Sequence, residues 1–205
     1  MTVSEAMPAV VAPTPTPFYH RDAVDHAALE SNVQRWLETP LSGFVLNSEN
    51  GEESFLNEAE RIEIVRTVHR ARHGQRLLIG GIDCPSATQS LRFAEQLVAA
   101  GADMLRLRIP RLTDVRGYFE QVVPRLPAPA IIIHQPAPGM FLSGPTTTGA
   151  TAELIGALVS MENVHGYIAS ADIRFEARVR TFVPSEKAFW IGNGILLLPG
   201  AAIGA

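Results

Sequence analysis

Short apolar runs alternate with amphipathic segments along the chain. The apolar runs predict strands over 10–14, 43–47, 76–82, 104–109, 130–134, 164–169 and 188–192. They are near-continuous rather than alternating, as expected of strands covered on both faces. Between them, a 3.6-residue period predicts helices over 26–38, 58–72, 87–100, 114–126, 148–161 and 174–183. The third is the clearest. Leu91, Ala94, Leu97 and Val98 share one face, Ser86 is placed to cap it, and Gly101 to close it. Asn57 and Glu60 have capping-box spacing at the start of the second. Residues 195–205 read as the beginning of a seventh crossover.

Strand followed by helix, repeated, predicts parallel strands joined by right-handed crossovers. A barrel and a doubly wound open sheet both satisfy that order. The open sheet is favoured by a Gly-x-Gly-x-x-Gly turn after the first strand, and the chain has Thr14-Pro15-Thr16-Pro17-Phe18 there instead. No linker or change of composition divides the 205 residues, which read as one domain.

Composition narrows the function. A net charge of −4 argues against a nucleic-acid or membrane-surface role. No run approaches the roughly 20 apolar residues of a membrane span, and residues 1–17 lack a basic segment followed by an apolar one. The single cysteine, Cys84, rules out an intrachain disulfide and fits a reducing compartment. A cytoplasmic location is therefore expected. Sixteen arginines accompany one lysine, Lys187.

The stretch from Leu46 to Arg61, with Asn50-Gly51-Glu52 followed by Leu56-x-x-x-Glu60-Arg61, resembles the second strand–loop–helix of the dihydrodipicolinate synthase / N-acetylneuraminate lyase family. Further matches follow in order over nearly the whole chain: Thr16-Pro17-Phe18, Gly80-Gly81, Gly101-Ala102-Asp103, Pro110, Tyr118-Phe119, Pro136, Asn163-Val164, Gly166 and Gly192-Asn193. The resemblance implies a TIM (β/α)8-type barrel that acts on small oxo acids through a lysine Schiff base. A barrel of this type has roughly 250 residues. Seven strands are countable here, so an incomplete barrel lacking its C-terminal eighth unit is expected. Its two edge strands would favour a homo-oligomer.

The family's catalytic positions are altered. Its Gly-x-Lys reads Gly166-Tyr167-Ile168, which puts Ile168 at the lysine. Its tyrosine in strand five becomes Ile133, its paired threonines become Glu49 and Asn50, and the tyrosine after the strand-four proline becomes Arg111. The arginine after strand five has no counterpart in Ala137-Pro138-Gly139-Met140. Lys187 directly precedes strand seven and so reads as a solvated lysine at the opposite rim. A Schiff base needs a neutral amine, and arginine stays charged and non-nucleophilic.

Other polar groups remain. Period two puts Asn47 and Glu49 on one face of strand two, and Arg106 and Arg108 on one face of strand four. Glu49 and Arg108, with Arg106 and Asn47, are then expected to meet in the interior, as an ion-pair network or an anion site. His134 and Glu49 are the candidate acid–base residues. Asn50, Gly51, Arg108, Gln135, Ser170 and Asn193 are the candidate substrate contacts. Asp172, with Ser170, is placed to cap helix six. Glu49, Glu52, Asp83 and His134 show no metal-ligand spacing, so no metal or other cofactor is expected. The expected function is a lyase-like protein binding a small oxo acid, altered in chemistry or inactive. The alternatives are a non-Schiff-base hydrolase or dehydratase using Glu49, His134 and Arg108, or a non-catalytic partner of a complete paralogue.

Overall fold

The computed structural model describes residues 10–20, 22–84, 86–134 and 150–205. Its strands are β1 (Val11–Pro13), β2 (Gly43–Leu46), β3 (Leu77–Ile82), β4 (Met104–Arg108), β5 (Ala130–Ile133), β6 (Val164–Ala169) and β7 (Ala188–Ile191). The helices between and after them are α1 (His26–Leu37), α2 (Glu58–Ala71), α3 (Ala87–Ala99), α4 (Val115–Val122), α5 (Ala152–Val159), α6 (Ile173–Arg180) and α7 (Leu197–Ala202). The strands form one sheet in chain order, β1 to β7. This is the α/β architecture of a TIM (β/α)8-type barrel, present in seven units. By contacts the described residues form two compact units. One runs to Gly81 and adds Ala94–Leu105; the other is Ile82–Phe93 with Arg106–Ala205.

In the first unit, β2 pairs in parallel with β1 (Val11 opposite Gly43) and with β3 (Gly43 opposite Leu77). Gly43 is required there: a Cβ would lie 2.6 Å from the Leu77 carbonyl oxygen. Leu29 and Val33 of α1, Phe44 and Leu46 of β2, and Val65 and Val68 of α2 are fully or almost fully buried. Each such side chain contributes about 1.5–3 kcal/mol. The Asn57–Glu60 capping box forms as the spacing predicts, with bonds of 2.9 and 3.0 Å. Arg72, just after α2, clamps Asp103 before β4 with bonds of 2.6 and 3.0 Å. Asp103 in turn accepts the Leu78 amide at 2.8 Å, tying β3 to the same carboxylate. Gly101 closes α3 at φ +109, and the His69 ring would lie 2.2 Å from a Cβ at that position.

In the second unit, β6 pairs in parallel with β5 (Ile133 opposite Ile168) and with β7 (Ile168 opposite Trp190). Phe119 and Val122 of α4, Ile155 and Val159 of α5, and Val179 of α6 are buried with Ile131, Ile132, Val164 and Tyr167 of the strands. Asp172 caps α6, accepting the Arg174 and Phe175 amides at 3.0 and 3.2 Å. Helix four is shorter than its period predicts. It ends at Val122 and passes into a 3-10 turn over Val123–Arg125, because Pro124 has no amide to continue the ladder. Helix five begins with Thr151 as its cap; its predicted start at 148 lies outside the described residues.

Candidate functional site

Strand β2 stops at Leu46, one residue earlier than its apolar pattern suggests. Asn47 takes a positive φ of 53, and the chain then turns through two 3-10 segments, Glu49–Gly51 and Glu53–Phe55. The expectation that Asn47 and Glu49 share a strand face therefore fails, because strand periodicity does not extend past Leu46. Asn47 is buried and its amide donates to the Arg61 carbonyl at 3.3 Å. Glu49 and Asn50 are exposed on the turn. Gly51 is buried: its carbonyl accepts Thr16 Oγ1 at 2.8 Å, and a Cβ would lie 2.9 Å from the Thr14 carbonyl oxygen.

In the second unit, Arg106 and Arg108 of β4 do share a face, as the period predicts. The carboxylate both reach is Asp83, which directly follows β3: Oδ2 lies 2.7 Å from Arg106 and 3.2 Å from Arg108. The Arg106 side chain is 2% exposed, that of Asp83 9% and that of Arg108 29%. Arg108 is thus the member of the trio most open to solvent. Beside them, the Cys84 carbonyl accepts both Ser90 Oγ and the Tyr118 hydroxyl at 3.0 Å. Burial pushes the Tyr118 phenol up to about 12, so it stays protonated and donates.

The ends of β5 to β7 carry two unlike faces. Register puts Ile133, Ile168 and Trp190 side by side on one face, and Ile132, Tyr167 and Phe189 on the other. The second face meets helices. Tyr167 reaches Glu176 of α6, and the Ile191 side chain lies against Gly200 of α7. His134, next after Ile133, belongs to that helix face: its ring centroid is 5.5 Å from Phe175 of α6. His134 is 8% exposed. Burial lowers its pKa, and its Nδ1 has no hydrogen-bond partner among the described residues. Ser170 does not cap α6 with its side chain; its Oγ donates to the His134 carbonyl at 2.5 Å.

Glu176 is the buried acid of this region, fully out of solvent. Its Oε1 accepts the Ser170 amide at 2.9 Å and the Ala171 amide at 2.7 Å, with the Tyr167 hydroxyl at 3.4 Å. Burial raises its pKa above the ordinary 4.5, and the two amides only partly offset that. A carboxylate raised in the fold holds its proton more tightly folded than unfolded. Its contribution is fully present below pH 4.5 and is lost as pH rises through the raised folded value. Glu176→Gln keeps an acceptor for both amides and removes the ionisation. In urea titrations across pH 4 to 8, the glutamine variant is expected to gain on the wild type as pH rises. Glu176→Ala is expected to cost roughly 1–3 kcal/mol per orphaned amide. A constant difference between Gln and wild type over that range would contradict this.

Lys187 is half-buried rather than solvated. Its ammonium donates to the Met161 carbonyl at 3.2 Å and to the Val164 carbonyl at 2.5 Å. Val164 begins β6 and Ile168 lies four residues on, roughly 13 Å along a strand. The lysine is therefore at the start of β6, as its position before β7 predicts, but it is engaged by backbone. Asn193 caps the 3-10 turn after β7, accepting the Ile195 amide at 3.1 Å. Gln135 lies outside the described residues. Among the described residues, no three His, Cys, Asp or Glu side chains converge as a metal ion would need. No helix among them is long and apolar enough to cross a membrane.

Three polar residues of these clusters are not site candidates on sequence alone. Asp83 reads there only as a possible metal donor, because its partners on β4 are more than 20 residues away. Tyr167 and Glu176 carry no local signal as a pair. Glu176 reads as one more charge on a helix rich in arginine.

The model of the Dihydrodipicolinate synthetase family matches residues 6–205. A 4-hydroxy-tetrahydrodipicolinate synthase from Natronomonas pharaonis is 29% identical over 199 residues, covering 92% of this chain and 64% of that protein. A dihydrodipicolinate synthase structure from Bacillus anthracis superposes with a TM-score of 0.83 at 18% identity, covering 96% of this chain and 67% of the other. An N-acetylneuraminate lyase structure from Mycoplasma synoviae gives 0.80 at 20% identity, covering 95% and 66%. The chain spans a little under two thirds of the length of the curated relatives it matches. On a family match that covers all but the first five residues, with the ordered strands and helices described above, the chain belongs to the dihydrodipicolinate synthetase family.

Proposed function

We propose that this chain is a lyase-like family member that binds a small oxo acid without forming a Schiff base. The observation that carries the reading is the pairing of Ile133 with Ile168. These stand where the family resemblance puts its tyrosine and its lysine. The chain's one lysine is hydrogen-bonded to carbonyls at the other end of β6. Arg108, part-exposed and oriented by Asp83, supplies a cation for the substrate carboxylate. Gly51, Asn50, Gln135, Ser170 and Asn193 are the remaining proposed contacts. We read residues 1–205 as one barrel domain of a cytoplasmic homo-oligomer.

Calorimetric titration with a panel of 2-oxo acids tests this. Saturable heat is expected, with Arg108→Ala weakening binding at least tenfold, about 1.4 kcal/mol. No heat from any 2-oxo acid would sink the reading.

A second reading makes the protein a hydrolase or dehydratase using His134, Glu49 and Arg108. The observation favouring it is the buried His134 imidazole, whose lowered pKa leaves a neutral base near pH 7. Turnover of a hydroxy or oxo acid that is lost in His134→Gln would favour that reading over the first.

A further inference from the structure

The inner row at the ends of β5 to β7 is entirely apolar. Ile133 is the last residue of its strand, and Ile168 and Trp190 are each the last but one. They are register neighbours, so their side chains stand abreast on one face. The helices pack on the opposite face, through Tyr167, His134 and Ile191. The row continues past the strands, since a Cβ on Gly192 would meet Ile168 Cγ2 at 2.7 Å. Ile133 and Ile168 are 5% and 8% exposed, while Trp190 is half-buried. Trp190 is thus the most exposed member of the row.

Barrel enzymes place their ligands at the C-terminal ends of the strands. An all-apolar wall at that end stabilises a hydrocarbon group and offers nothing to a methyl-sized, strongly hydrated acid. We infer that Ile133, Ile168 and Trp190 form the specificity wall of the site, and that its oxo acid carries a branched aliphatic or aromatic side chain. This rests on the oxo-acid reading above. It adds which members of that class the site selects, and it makes Trp190 the residue on which the side chain lies.

The test uses the full chain with Trp36→Phe, which leaves Trp190 as the sole tryptophan. Pyruvate and 4-methyl-2-oxopentanoate are titrated by calorimetry and by tryptophan emission. The larger acid is expected to bind at least tenfold more tightly and to shift Trp190 emission. Trp190→Ala, checked for an unchanged melting temperature, is expected to bring the two acids within about threefold by removing the apolar contact. Equal or tighter binding of pyruvate would overturn the wall while leaving the oxo-acid reading standing. A tenfold preference that survives in Trp190→Ala with no emission shift would overturn the placement on this row. Absence of binding by both acids would overturn the oxo-acid reading itself, and the wall with it.

Discussion

Asp83→Ala is expected to destabilise the fold by about 3–5 kcal/mol. Two guanidiniums share its Oδ2, and that of Arg106 is almost wholly out of solvent. Taking a guanidinium from water is costly, and the carboxylate in contact with it offsets part of that cost. Removal of the carboxylate takes away the acid that Arg106 and Arg108, two residues apart on one strand face, both reach. Asp83→Asn keeps the shape and one acceptor oxygen and should lose less than Asp83→Ala. Arg108, with 29% of its side chain exposed, can recover hydration, so Arg108→Ala should cost least of the three. Urea unfolding at pH 7 and fixed ionic strength orders them. A loss under about 1 kcal/mol for Asp83→Ala would mean that this trio behaves like a surface ion pair.

Much of the fold is legible in the sequence because it is set locally. Seven apolar runs mark the seven strands to within a residue or two at each end. The Asn57–Glu60 box and the Asp172 cap form where their spacing puts them, since a cap needs only its own helix. Pairing of Arg106 with Arg108 on one face follows from period two within a strand. What the sequence does not show is where a strand stops and which strand lies opposite. Asn47 leaves β2 by a positive φ, and that takes Glu49 off the strand face assigned to it. Asp83 meets Arg106 across two strands, a contact set by the sheet and not by spacing along the chain. The face of His134 is likewise fixed by the alternation that puts Ile133 with Ile168, together with the ring contact to Phe175. The apolar row itself becomes visible only once β5, β6 and β7 are in register.

The largest chemical effect expected is all-or-none: no covalent adduct with pyruvate. Adduct formation needs an uncharged amine near the ligand carbonyl. Ile168 offers none, and the Lys187 side chain is held by the Met161 and Val164 carbonyls, at the other end of β6 from Ile168. Ile168→Lys would place an amine between Ile133 and Trp190. The apolar neighbours would depress its pKa and raise its neutral fraction. That variant is expected to become trappable even without a proton relay, because trapping requires imine formation and not turnover. The most direct measurement is therefore intact-protein and peptide mass spectrometry after incubation with pyruvate and borohydride, on wild type and Ile168→Lys in parallel. An unmodified wild-type chain and a reduced pyruvate adduct on residue 168 of the variant are the expected result. A borohydride-dependent adduct in the wild type, mapping to the peptide that contains Lys187, would contradict it.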